Sequence, residues 1–200
     1  MNALAHCHNT NHKTLLWVLG SALTLTLVGC IPSLHPLYTE KDLVFDPDLL
    51  GLWSSDKERE TWLFEKESES AYKLIYTDSH GKAGQFTAHL LKLDANRFLD
   101  LYPDDSVLKE WNDFYRLHYF RVHTFLKVEQ ITPTLQLVVM DLKWFDELLK
   151  GDPTVIHHER VGDGVVVTAG TPELQAFVRK HLRTQGAWGE PINLQRKEKK

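Results

Sequence analysis

His157-His158-Glu159-Arg160 is the densest group of side chains in this sequence able to hold a metal or move a proton. Alternate residues of a strand point to opposite faces, so His157 would share a face with Glu159, and His158 with Arg160. Zinc takes three or four protein ligands, and the third would have to come from His118, His123 or His89. No His-x-x-x-His spacing links these residues, and a solvated strand face is the expectation. Asp104, Asp105, Glu110 and Asp113 form a carboxylate group without the central glycine of a calcium loop; they are expected to cap and flank the start of a helix. There is no Gly-x-Ser-x-Gly elbow, and Gly162 and Gly164 fall in a hairpin pattern rather than before a helix, as a phosphate-binding loop would need. No catalytic residue, metal ligand or cofactor is assigned on this basis. A hydrolase or metal-dependent enzyme using His123, His157 or His158 is the lesser alternative to a non-catalytic protein.

The elements that would position these groups are mostly strands. Glu60 to Glu67, Ala71 to Asp78, Gln85 to Asp94 and Arg97 to Tyr102 are short runs of aromatic and branched residues. Glycine, asparagine and aspartate separate them, the residues that tolerate tight turns. Connections this short require antiparallel neighbours. Further strands are expected at His123 to Ile131, Thr134 to Met140, Val155 to Val161 and Gly164 to Thr168. Helices are expected at 142–149, capped by Asp141, and from Thr171-Pro172-Glu173 towards Gly186, with Leu174, Phe177, Val178, His181 and Leu182 on one face. Asp104 to Phe120 reads as a helix early and a strand late. The fold class is mainly β (α+β): an antiparallel meander forming a barrel or strongly curved sheet with two short helices.

The N-terminus carries a different kind of pattern. Lys13 precedes Thr14 to Val28, 15 residues without charge and rich in leucine. That is the length of a signal-peptide core and short of the roughly 20 residues that span a bilayer. Leu27-Val28-Gly29-Cys30 resembles the lipobox of bacterial lipoproteins at all four positions. The resemblance implies cleavage before Cys30, a diacylglycerol thioether on its sulfur and acylation of the new amine. The membrane would then be a partner through acylated Cys30, and two or three acyl chains hold a protein stably where one does not. Ile31, rather than aspartate, after that cysteine favours the outer membrane over the inner in a Gram-negative cell.

On this reading residues 1–29 are a signal peptide, 30–47 an acylated cysteine and proline-punctuated tether, 48–194 one β-rich domain and 195–200 a flexible basic tail. The mature chain has no free thiol, since Cys7 is removed and Cys30 modified. Removing Lys13 from 23 basic side chains leaves 22 against 27 acidic ones, a net of −5 with neutral histidines. That excess of acid argues against a nucleic-acid partner.

Gly51-Leu52-Trp53, ahead of a run of antiparallel strands and a C-terminal helix, resembles the opening of lipocalins, which implies a barrel with the tryptophan plugging one end. The pattern from Leu34 to about Leu194, with LYTEKDLVFDP, FTAHLLKL and VHTFLKVE, is similar to a group of bacterial lipoproteins without an assigned activity. Aromatic residues crowd the first meander, and several strands are apolar on both faces. One face can form a core. The other needs helices, a partner, or a ligand in a barrel, with Trp62, Phe64, Tyr72, Tyr76 and Phe86 the ligand-lining candidates. The expected function is a lipid-anchored envelope protein that binds an apolar small molecule or lipid without catalysis. The alternative is an assembly or protein-interaction lipoprotein, told apart by a filled interior beside an exposed apolar patch.

Overall fold

The computed structural model describes residues 30–55, 59–162 and 164–197, so the expected signal peptide, residues 1–29, lies outside the described residues. Eight antiparallel strands close into a barrel. They are β1 (Gly51–Ser54), β2 (Thr61–Lys66), β3 (Tyr72–Thr77), β4 (Ala83–Leu93), β5 (Asn96–Pro103), β6 (Thr124–Gln130), β7 (Thr134–Val138) and β10 (Ile192–Lys197), which returns to β1. A four-residue helix, α1 (Asp113–Arg116), interrupts the connection from β5 to β6. Between β7 and β10 come α2 (Leu142–Gly151), the hairpin of β8 (His158–Val161) and β9 (Gly164–Val167), and α3 (Thr171–His181). This is the antiparallel meander that the strand spacing predicts, closed into the lipocalin-like barrel that the Gly51-Leu52-Trp53 resemblance implies.

Period-2 alternation sorts the side chains. Trp62 and Phe64 of β2, Leu74 of β3, Leu90 of β4 and Leu99 of β5 point inward and join one buried cluster. Eight strands enclose an interior that side chains can fill, and here they do. The outward residues of β4 to β6, namely Leu91, Leu93, Phe98 and Phe125, form a second cluster under Phe145 and Leu149 of α2 and Leu174, Phe177 and Val178 of α3. Residues 98–101 of β5 are therefore all buried, three of them apolar and the fourth Asp100. Helices supply the cover there, each fully buried Leu or Phe contributing about 1.5–3 kcal/mol.

Helix α2 starts as expected, with Asp141 accepting from the Trp144 N–H at 2.7 Å. Helix α3 is capped differently. Gly170 occupies the cap position, and the Thr171 hydroxyl instead donates to the Pro36 carbonyl at 2.7 Å. The cause is the segment that follows Cys30. Expected as a tether, it is a strap built into the domain: Ile31, Ser33 and Leu37 are buried, and Gln175 of α3 donates to the Leu37 carbonyl at 2.8 Å. Prolines extend a chain, and an extended chain serves as well against a sheet as in a spacer.

Two further expectations are corrected. Gln195, Arg196 and Lys197, assigned to a flexible tail, belong to β10, where they pair with β1; Gln195 also pairs with β7. The late strand expected within 104–120 does not form there. A 3-10 turn at Ser106–Glu110 and α1 are followed by irregular backbone up to β6. The first strand of the hairpin is also shorter than Val155 to Val161, starting only at His158.

Candidate functional site

The barrel interior was the expected binding site. At one pole, where the β2–β3, β4–β5 and β6–β7 turns lie, it is shut. Trp53 is fully buried and donates its indole N–H to the Leu49 carbonyl at 2.9 Å. The Arg196 guanidinium lies 4.4 Å from the centre of the Trp53 ring and donates to the Leu50 carbonyl at 2.6 Å and to the Asp48 carbonyl. Gly51 makes room for it. At φ +119° a Cβ on residue 51 would sit 2.9 Å from the Arg196 Nη1. Sequence reasoning missed Arg196 because it was placed in the tail; the alternating run Ile192-Asn193-Leu194 ahead of it was the available sign of a strand.

Among the ligand-lining candidates, Trp62, Phe64 and Tyr72 are buried, and Tyr76 and Phe86 are partly buried against the same cluster. They pack on one another, Trp62 edge-on to Tyr76 at 5.1 Å and Phe64 edge-on to Tyr72 at 6.3 Å. The Tyr72 hydroxyl accepts from the Asp46 N–H at 2.6 Å and is pushed up to about 12, chiefly by burial. These rings fill the barrel. One polar atom stands out: the Trp62 indole N–H is buried and has no acceptor among the described residues.

A polar cluster sits outside the barrel wall, beneath the strap. Asp100 is 0% exposed. Its carboxylate accepts from the Leu37 N–H at 2.8 Å and pairs with His123 Nδ1 at 2.7 Å. Tyr102 stacks on His123 at 4.4 Å, with Arg121 4.5 Å above the Tyr102 ring. His89, opposite Asp100 across the β4–β5 ladder, stacks on Tyr38 at 4.5 Å. Burial holds His89 below the usual imidazole value, and burial followed by the Asp100 charge holds the Tyr38 hydroxyl above its own. An Asp-His pair can orient an imidazole as a general base for a side-chain nucleophile or a water. The Ser33 hydroxyl, nearest along the backbone, donates instead to the His35 carbonyl at 2.8 Å. The geometry is that of a clasp for the strap.

The other histidine candidates find separate partners. His157 Nδ1 pairs with Glu173 of α3 at 2.8 Å on an exposed surface, and this contact, led by the His157 backbone N–H, lowers the Glu173 carboxyl below its ordinary range. His158 Nδ1 meets the Ile156 carbonyl at 2.9 Å, and Arg160 pairs with Asp146 of α2 at 2.9 Å. Glu159 is exposed. No three His, Cys, Asp or Glu side chains are grouped to hold a metal among the described residues. The acidic group flanks these turns without capping a helix: Asp104 accepts from the Ser106 N–H at 2.6 Å ahead of the 3-10 turn, Asp105 at its start makes no side-chain capping bond, and Asn112 caps α1. A polar cavity of about 130 Å³ lies between Glu67, Lys73, Gln85, Phe86, Thr87 and Asp104. That is room for a few waters and well short of the ~300 Å³ of small-ligand sites.

What the structure leaves uncovered is the connection from β5 to β6. Phe114, Leu117 and Phe120 are 75%, 72% and 82% exposed. Trp111, Tyr115 and Tyr119 of the same segment pack on one another, with ring centres 4.6 to 5.4 Å apart, and the two tyrosines are also exposed. Sequence reasoning gave this segment no role. Leu27, Val28 and Gly29 of the expected cleavage signal lie outside the described residues; Cys30 is partly buried, and burial pushes its thiol up to about 11. None of the helices described is long and apolar enough to cross a membrane. The chain is thus defined as a closed, mainly β barrel with an apolar excursion at one end. It matches no known family model, no curated protein and no solved structure.

Proposed function

We propose that this protein is a lipid-anchored, non-catalytic module of the bacterial cell envelope, acylated on Cys30 and acting through its outer surface in envelope assembly or interaction. The packed barrel carries this reading. Inward side chains occupy the space an apolar ligand would need, while Phe114, Leu117 and Phe120 remain bare. The closed barrel has no free strand edge to offer, which leaves contacts to the connections, the two-stranded β8–β9 sheet among them. The lipobox pattern supplies the anchor, and Ile31 supports outer-membrane placement. Fatty-acid labelling in cells tests the anchor: wild type takes up label, and Cys30→Ser remains an unlabelled precursor. Equal labelling of the two would sink it.

Binding of an apolar small molecule or lipid inside the barrel is the second reading, favoured by the unpartnered Trp62 indole N–H beside Tyr76. Native mass spectrometry of the purified protein separates the two. A packed scaffold flies at the mass of the acylated chain alone. A stoichiometric extra lipid or small molecule, lost on Trp62→Ala, would establish the second.

A further inference from the structure

The connection from β5 to β6 changes sign along its length. Its first part, residues 104–113, holds four acids, Asp104, Asp105, Glu110 and Asp113, and one lysine, Lys109, a net of −3. Its second part, residues 114–121, holds Arg116 and Arg121 and no acid, a net of +2 with His118 neutral. The ion pairs within it, Lys109 with Asp105 at 3.7 Å and Arg116 with Asp113 at 3.3 Å, lie on the surface, where such pairs are weak enough to exchange partners. Glu110 is exposed. A surface of one sign repels its own copy. A segment acidic at one end and basic at the other suits a two-fold contact, in which residue i of one copy meets residue j of its partner and j meets i.

The same connection carries enough apolar surface for such a contact. Phe114, Leu117 and Phe120 are mostly exposed, and Tyr115 and Tyr119 are about half exposed. A large aromatic side chain presents about 150–250 Å². One copy therefore leaves on the order of 600 Å² uncovered, the top of the ~300–600 Å² range for the largest apolar patch of a monomer. Two copies face to face bury roughly 1,200 Å², the size at which specific, stable interfaces begin.

We propose that a second copy of this chain covers this surface. Phe114, Leu117 and Phe120 of the two copies pack together about a two-fold axis, and the acidic part of each connection meets the basic part of its partner, Glu110 facing Arg116 twice across the interface. The proposal rests on the reading that the barrel acts through its outer surface, and is independent of acylation at Cys30. The two claims fail separately: a monomer overturns the pairing alone, whereas failure of the surface reading shows as a stoichiometric ligand in the native mass spectrum, with the pairing unaffected.

Full-length protein is purified in a density-matched detergent and sedimented to equilibrium at micromolar concentrations. Wild type should run as a dimer and the double variant Phe114→Asp, Phe120→Asp as a monomer that keeps the circular dichroism of the β barrel. Glu110→Lys and Arg116→Glu should each weaken the dimer about tenfold, since like charges then face each other. An equal mixture of these two variants should recover wild-type affinity in dimers holding one copy of each, because both pairs across the interface are restored, one of them with its signs reversed. In cells, a short bismaleimide should join two copies through Leu117→Cys and not through Ala95→Cys in the exposed β4–β5 turn. A wild-type monomer, a dimer indifferent to Phe114 and Phe120, or a mixture no tighter than its components overturns the pairing. So does a crosslink from position 117 that captures a different protein in place of a second copy.

Discussion

Truncating Trp53 removes more than one plug from the barrel. The indole is fully buried, donates to the Leu49 carbonyl and lies under the Arg196 guanidinium. Deleting a buried tryptophan to alanine costs about 3–5 kcal/mol through lost transfer energy and the cavity left behind. For a domain of this size each kcal/mol lowers the melting temperature by roughly 2–4 °C, so Trp53→Ala should melt about 6–20 °C below wild type. Trp53→Phe keeps most of the apolar area and loses the hydrogen bond, a cost of about 1 kcal/mol. Arg196→Met keeps the stem over the ring and loses two bonds to backbone carbonyls and the cation–π contact, the last worth about 0.5–1 kcal/mol at an exposed site. A urea-denaturation cycle of Trp53→Phe, Arg196→Met and the double variant should give a coupling of similar size, since the two side chains touch. A Trp53→Ala domain within 1 kcal/mol of wild type, or a coupling of zero, would refute the closed pole.

Deleting residues 195–200 removes the half of β10 that pairs with β1 and should leave a domain that expresses poorly or unfolds well below wild type in a thermal scan; a flexible tail could be removed without effect. Asp100→Ala leaves the Leu37 N–H and His123 without their buried partner and should cost about 3 kcal/mol, with faster hydrogen exchange at the Leu37 amide before other strap positions; unchanged exchange there would refute the clasp. His89 and His181 are both held below the usual imidazole value, burial being the chief cause. The folded domain thus keeps them neutral where the unfolded chain is already protonated. Stability should fall as pH drops below about 6.5 towards the depressed folded values. His89→Phe with His181→Phe should flatten that slope, and a wild-type melting temperature that rises from pH 7 to pH 5 would contradict it.

The sequence announced the wall of the barrel better than its closure. Strands β2 and β3 alternate because one face of each meets an apolar interior. The last strand follows Gly189 and Pro191 and ends in Arg196-Lys197, and only Leu194 of β10 is buried, so its pattern looked like a fraying terminus. The strap was hidden for a related reason. Its hydrogen bonds run to Asp100, His123, Val167 and Gln175, partners far away in sequence, and nothing local distinguishes a pinned extended segment from a loose one. Aromatic composition pointed to Trp62, Phe64, Tyr72, Tyr76 and Phe86 as ligand contacts, and these rings join one packed cluster. The aromatic residues without cover were Phe114 and Phe120, in a segment whose helical and alternating spacings competed. Spacing says which side chains share a face; only the partner strands and helices decide which faces are left bare.

The buried Asp100–His123 pair acts as a device of register. Two apolar side chains at these positions would bury as much area, and ion pairs in interiors contribute little net stability once desolvation is counted. An apolar contact would, however, let the strap slide by a residue pair along the sheet at small cost. A carboxylate that needs the Leu37 N–H on one oxygen and the His123 imidazole on the other accepts one alignment. That alignment fixes Ser33 against His123 and Pro32 and Leu34 against Val167. It thereby fixes the point at which residue 30 leaves the domain. Slipping by two residues would carry that point about 7 Å along the strap.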